Sequence, residues 1–267
     1  MKINKSRKYY LVLDTETANM INDPLVYDLG YIIIDKQGRV YKSASFIVSD
    51  IFVEKKELMN SCYYAEKLPM YYDDIKVGKR KVVNLYTARK TLLDDIKAFN
   101  VEAVLAYNAG FDRRALNTTQ RYETKSKYRY FIPYDVPIWC IWNIACHSIC
   151  NTKEYIEWCL NNGFVSARGN IKTSAEVVFA YIADNPNFCE DHTALEDAII
   201  EAAIFAKCVK KFGITKLEKK INCGCWRIPQ KTAKELGYET STVKAIAENE
   251  RTLQPANIDI WDLVGIW

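Results

Sequence analysis

Histidine is close to absent from this chain. Its 267 residues include two, His147 and His192, which leaves few imidazoles for a metal centre or for proton transfer. No apolar run approaches the roughly 20 residues that a membrane-spanning helix needs, and Met1–Lys5 lacks the apolar core of a secretion signal. Proline is scarce, and neither internal repeats nor low-complexity tracts occur. The net charge is only +4, from 37 basic and 33 acidic residues, too little to mark a nucleic-acid binder by itself. The nine cysteines are an odd number without framework spacing, and Cys159 and Cys208 sit inside apolar helical patterns. Reduced, buried thiols in a cytoplasmic protein are therefore expected. Cys223-Gly-Cys225 has no nearby His or Cys pair to complete a zinc site.

What is present begins at Tyr9-Tyr-Leu-Val-Leu-Asp-Thr-Glu16, an apolar, β-favouring run that leads straight into two carboxylates. Residues two apart on a strand point to the same face, so Asp14 and Glu16 stand side by side at the end of a buried strand. Two carboxylates placed there repel each other and are costly to desolvate, and a bound cation relieves both problems. Oxygen ligands of this kind suit Mg²⁺ or Mn²⁺.

Tyr27 to Asp35, a turn at Lys36-Gln-Gly38 and Val40 to Val48 then read as a hairpin, giving three consecutive antiparallel strands. Residues 50–86 follow no simple period and read as a partly helical insertion. Apolar residues recur at helical spacing from Thr87 to Phe99, a short buried strand runs from Ala103 to Tyr107, and helix resumes near Asp112. Ile138 to Trp142 reads as a further strand. A helix covers Thr152 to Asn162, with Gly163 to stop it. Two more begin at the capping boxes Thr173-Ser-Ala-Glu176 and Thr193-Ala-Leu-Glu196. Strands first, then strand alternating with helix, then helices define an α/β layered domain with a mixed sheet over residues 1–213. Residues 214–267 form a separate helical tail with three further tryptophans.

Asp14-Thr-Glu16, Asn108-Ala-Gly-Phe-Asp112 and His192-Thr-Ala-Leu-Glu-Asp197 stand in this order at a strand end, after a second strand, and at a helix start. Together they resemble the three motifs of the DnaQ-like exonucleases of the ribonuclease-H-like superfamily. The His five residues before the last Asp is similar to the DEDDh branch. Ala18-Asn19 and Tyr107 depart from the residues common beside these motifs, which bears on substrate preference more than on catalysis.

The resemblance implies a ribonuclease-H-like mixed sheet, three antiparallel strands followed by parallel ones, flanked by helices. It also implies a 3′→5′ exonuclease using two divalent cations, Mg²⁺ or Mn²⁺, and releasing nucleoside 5′-monophosphates. Asp14 would bridge the cations, Glu16 and Asp197 would complete the site of the attacking water, and Asp112 would hold the second cation. His192 would take the proton from that water. Thr15, Thr17 and Asn108 would meet the substrate, and Phe111 would either pack in the core or stack on a base. The expected substrate is single-stranded DNA or a frayed 3′ end, with RNA as the alternative. No polymerase segment accompanies the domain, so any proofreading is expected in trans.

Outside the motifs, Arg121 to Tyr130 and residues 63–81, including Lys79-Arg-Lys81, mix cations with aromatic rings as single-strand binders do. In the tail, Ala233, Gly237, Val243 and Ile246 have a spacing similar to that of a helix-turn-helix. The tail could instead be a helix pair that docks a polymerase or another protein. A DNA-binding regulator reading sequence through the tail is the rival from a different class. The Tyr- and Lys-rich, Pro-poor composition fits an AT-rich genome, bacterial or phage.

Overall fold

The computed structural model describes residues 3–4, 6–166 and 169–221. The Cys223-Gly-Cys225 pair and the helix-turn-helix spacing of the tail lie outside the described residues.

In chain order, β1 (Tyr9–Ala18), β2 (Leu25–Asp35) and β3 (Val40–Val48) are followed by α1 (Ser49–Phe52), α2 (Lys56–Asn60) and a 3₁₀ turn at Ala65–Lys67. Next come α3 (Leu68–Lys76), β4 (Lys81–Val83), α4 (Leu85–Phe99), β5 (Val101–Ala106), α5 (Ala109–Thr124) and β6 (Ile138–Cys140). The remainder is α6 (Ile141–Ala145), a π-helical turn (Cys146–Cys150), α7 (Lys153–Asn161), α8 (Ala175–Ile182), α9 (Ala194–Phe212) and α10 (Ile214–Glu218).

The six strands form one sheet in the order β4-β3-β2-β1-β5-β6. β1 to β3 are antiparallel neighbours, β5 runs parallel to β1, and β6 runs parallel to β5. This is the mixed α/β sheet expected from the strand order. Its alternation sorts the side chains of β1 into two cores. Tyr10 and Val12 join Ile32, Ile34 and Leu105 against α9 on one face, while Tyr9, Leu11 and Leu13 join residues of α4 and α5 on the other. With apolar helices covering both faces, β1 is buried almost throughout, as a central strand should be.

Several local expectations need revision. The 50–86 insertion is partly helical as expected, but it also delivers β4, which extends the sheet parallel to β3. Three residues, of which Lys81 and Val82 are exposed and Val83 is partly buried, carry too little pattern to announce a strand. Within the basic run, Arg80 is not a surface cation. It is buried and paired with Asp28, Asp74 and Glu196 at 3.2, 2.9 and 3.2 Å. The first capping box is displaced: α8 is capped at Ser174, and Thr173 instead accepts from Trp142 Nε1 and Tyr107 Oη. At the second, the Thr193 hydroxyl donates to Glu196 at 2.6 Å instead of capping the backbone. Thr152 does cap α7, accepting from the Tyr155 N–H, and Gly163 ends it with a positive φ of 73°.

Cys159 and Cys208 are fully buried in the helical core, as their patterns suggested. α10, at the start of the expected tail, places Leu217 in the core shared with α9. Among the described residues, no helix is long and apolar enough to cross a membrane.

Candidate active site

The site lies where β1 loses its apolar side chains. After Tyr10 and Val12, the same face continues with Asp14 and Glu16, which stand opposite Gly30 and Asp28 of β2. Gly30 is the key to what happens above them. A Cβ built there would lie 2.1 Å from the Leu195 backbone N and 2.3 Å from the Ala194 carbonyl carbon. Glycine is therefore required for the start of α9 to settle directly on the sheet. The Asp28 side chain fastens that helix end by accepting the Ala194 N–H at 3.2 Å. Tyr71 Oη donates to the same oxygen at 2.9 Å, and Arg80 pairs with it.

One turn into α9, Asp197 thereby reaches the β1 carboxylates. Ligand oxygens of Asp14, Glu16 and Asp197 all lie within 4.8 Å of one another. Asp197 Oδ1 is buried without a hydrogen-bond partner in the structure. Burial raises Asp14 well above the usual carboxylate range, reinforced by Glu201, Asp112, Asp197 and Glu16. Burial likewise raises Glu16 to about 8, with Asp28 adding to it, and Asp197 is raised strongly by burial and then Glu190. Oxygen donors that are crowded, desolvated and short of partners fit a divalent cation, which would supply the positive charge they lack.

Asp112 sits in the first turn of α5, buried, and accepts the Thr15 hydroxyl at 2.9 Å. Burial raises it to about 7, partly offset by that bond. It belongs to neither of the tight ligand groups among the described residues, so it stands back from the trio that the β1 strand end and α9 create. Thr15, expected to meet substrate, has its side chain turned to Asp112 on the opposite face of β1 and is buried there. Phe111 packs against the core on the α5 side, with the Arg114 guanidinium 5.4 Å from its ring centre. Asn108 is exposed at the N-cap of α5 in the left-handed region, with φ 62° and ψ 46°. Thr17, partly buried, follows the bulge that interrupts the β1–β2 register after Glu16.

His192 precedes α9 in a left-handed conformation, φ 48°. Its ring stacks on Tyr64 with centroids 4.7 Å apart and planes 14° apart. Its Nδ1 lies 3.8 Å from Glu190 Oε2. His192, Glu190 and Asp197 form a second group with ligand atoms within 4.8 Å. Burial and then Lys67 lower the His192 pKa below its ordinary 6.5, so the ring is neutral at neutral pH. Lys67 also donates to the Asp191 carbonyl and lies over the Tyr64 ring, which ties the insertion to the α9 approach.

Sequence reasoning missed Glu190 and Glu201, and it took the stretch holding Tyr64 and Lys67 for a single-strand-contacting segment, not for the support of His192. Glu201 carried a readable signal, since it is a lone charge in the apolar run Ala198-Ile-Ile-Glu-Ala-Ala-Ile and lies four residues after Asp197 on the same helix face. Buried, it accepts the Tyr107 N–H at 2.9 Å, and burial raises its pKa strongly, followed by the charge of Asp112. Tyr64 and Lys67 reach the site only through the tertiary path of the insertion, which their mix of ring and cation does not reveal.

No family model matches the chain, and no curated protein matches it. Among solved structures it is similar to exonuclease I of E. coli. The zinc-bound form of that enzyme's single-stranded DNA complex aligns with a TM-score of 0.51 and 17% identity, over 80% of this chain and 42% of that one. Its complex with a Cy-labelled dT13 oligonucleotide aligns at 0.49 and 14% identity, over 81% and 42% of the two chains. At this identity the likeness is one of fold. The chain spans less than half the length of the exonuclease I chain, and the mixed sheet with its flanking helices is what the two share.

Proposed function

We propose that the protein is a metal-dependent 3′→5′ exonuclease of the DEDDh type, acting on single-stranded DNA or frayed 3′ ends. The observation that carries this reading is the convergence of Asp14, Glu16 and Asp197 within 4.8 Å, with His192 sharing Asp197 in the adjoining group. The polarity of attack and the product, a nucleoside 5′-monophosphate, follow from the motif resemblance. The fold shared with exonuclease I, solved with single-stranded DNA, supports DNA ahead of RNA.

Asp14, Glu16 and Asp197 would hold a divalent cation, Mg²⁺ or Mn²⁺ by the hardness of their oxygens. A second would lie toward Asp112. Bound cations supply activation of the attacking water and stabilisation of charge on the attacking and leaving oxygens.

The chain's own residues do the rest. The hydroxyl of Thr15 fixes the Asp112 carboxylate from the far face of β1. Glu201 anchors the β5–α5 junction through the Tyr107 N–H. Neutral His192, with Nδ1 toward Glu190, takes the proton of the attacking water on Nε2. The imidazolium so formed lies 3.8 Å from Glu190, and its positive charge favours ionisation of that buried carboxyl, which otherwise holds its proton to about 8. Stacking on Tyr64 sets the plane of the ring, which a left-handed backbone alone would leave free to swing.

The test is a time course on 5′-labelled single-stranded DNA and matched RNA with Mg²⁺ or Mn²⁺, against EDTA and Asp14→Ala. A metal-dependent ladder shortening from the 3′ end, lost in Asp14→Ala, is the expected result, with DNA degraded faster. Faster loss of RNA would make the enzyme an exoribonuclease. No shortening of either polymer by folded, metal-loaded protein would refute the nuclease reading.

A further inference from the structure

Away from the carboxylates, α5 presents a second kind of surface. Gly110, Arg113, Asn117 and Arg121 recur at i, i+3, i+7 and i+11 and make one wall of a hollow of about 700 Å³. The facing wall comes from residues 130–138 and includes Tyr130 and Tyr134. Tyr134 is 97% exposed, so its ring serves no packing role. A second hollow of about 290 Å³ shares Gly110 and Arg113 and runs on to Asn108 and Trp142. A third, about 360 Å³, shares Thr118 and Arg121 and runs on to Lys125 and Lys127.

The three form one trough along the 16 residues of α5, about 24 Å at the helical rise. Its inner end, at Asn108, adjoins Tyr107, whose N–H is held by Glu201 of the carboxylate cluster.

The trough is cationic in effect as well as in count. Arg113, Arg114, Arg121, Lys125 and Lys127 form no ion pair with a described residue. Arg121, Lys125 and Lys127 instead lie over the rings of Tyr130, Tyr122 and Tyr128, at 5.3, 4.4 and 5.2 Å. Asp23 lines its outer end, Glu123 of α5 feels the charge of Lys125, and Asp135 is exposed within the facing segment. Unpaired cations beside exposed tyrosine faces are the two components of a sequence-tolerant single-strand groove, with charge for phosphates and π-faces for bases.

We infer that this trough is the track for the body of a single-stranded nucleic acid, carrying its sugar–phosphate backbone away from the carboxylate cluster along α5. The inference rests on the nuclease reading for what happens at the inner end. Binding along the track does not depend on it.

The test measures anisotropy of a fluorescent thymidine oligonucleotide of about twenty residues, in EDTA, across a salt series of about 50 to 300 mM. Wild type is compared with Arg113→Gln/Arg114→Gln/Arg121→Gln and with Tyr134→Ala. Each phosphate contact contributes about 0.7 to the slope of log K against log salt for single strands, so the triple variant should bind with a slope shallower by about 2. Tyr134→Ala should weaken binding with its slope unchanged.

Hydrolysis of the p-nitrophenyl ester of thymidine 5′-monophosphate, which is too short to enter the trough, checks the reacting end. It should proceed alike in wild type and the triple variant. Failure of wild type to bind the long strand, an unaltered slope in the triple variant, or an equal loss on the short ester would each overturn the track. Strand binding that depends on the arginines, in a protein that hydrolyses nothing, would uphold the track and overturn the nuclease reading.

Discussion

Replacing Gly30 by alanine adds a single methyl group, yet it strikes at the contact that assembles the site. The new Cβ would meet the Leu195 N at 2.1 Å and the Leu195 Cα at 2.4 Å, against 3.4 Å or more for an ordinary contact. The obstructing atoms are backbone in the first turn of α9, so no side chain can swing aside. The helix start must retreat by more than an ångström, or β2 must bend away. Overpacking of a well-filled interior costs about 1–3 kcal/mol, and backbone against backbone belongs at the upper end. For a domain of this size that corresponds to a fall in Tm of about 6–12 °C. The same retreat draws Asp197 away from Asp14 and Glu16, and a displacement of about 1 Å at a reacting centre costs on the order of a hundredfold in rate. Thermal unfolding with and without Mn²⁺ and kcat/KM on labelled single-stranded DNA read the two effects separately. Gly110→Ala, where a Cβ meets nothing within 4 Å, should leave Tm unchanged or slightly higher. If Gly30→Ala melted within about 2 °C of wild type and kept its turnover, the close approach of α9 would not be what builds the site.

Four further outcomes are expected. In EDTA, stability should decline as pH rises from about 4 toward 8. Glu16, Asp112 and Glu190 hold their protons to about 8, 7 and 8 in the folded state but release them near ordinary carboxylate values when unfolded. The folded state thus binds more protons across that window, and raising pH favours unfolding. Mn²⁺ should raise Tm more at pH 8 than at pH 5.5, and a reversed order in a melting series would rule out the raised cluster as the cation site. His192→Ala should lose about a hundredfold or more in kcat while keeping the Mn²⁺-induced rise in Tm, and unchanged kinetics would remove the imidazole from the mechanism. Arg80→Ala should cost about 3–5 kcal/mol in a denaturant melt by stranding buried Asp28, and a loss below about 1 kcal/mol would show that the ion pairs at Arg80 are dispensable.

The parts of this molecule that were legible in its sequence are those governed by local periodicity. Asp14 and Glu16 share a face because a strand alternates, and α9 follows Thr193 because an apolar helical pattern begins there. What escaped notice depends on contacts between segments far apart in the chain. The bond from Thr15 to Asp112 spans 97 positions, and the one from the Tyr107 N–H to Glu201 spans 94. Arg80 read as a surface cation from its neighbours Lys79 and Lys81. Only the fold brings Asp28, Asp74 and Glu196 around it. Glu201 could have been found from the cost of burying a charge in an apolar helix, whereas Tyr64 meets His192 through the path of an insertion that has no period to read.

The two-sided use of β1 has a consequence for quality control during synthesis. Asp14 and Glu16 serve one face of the sheet while Thr15 serves the other. A strand paired one residue out of register turns every side chain over. Such a misregistered copy would bury its carboxylates among Leu116 and the other apolar side chains that α4 and α5 contribute, and would present Leu13 and Thr15 to α9. It could neither fold stably nor hold a cation. Assembly of the carboxylate cluster is therefore coupled to the correct pairing of β1, and a wrongly paired chain would lack the cluster altogether.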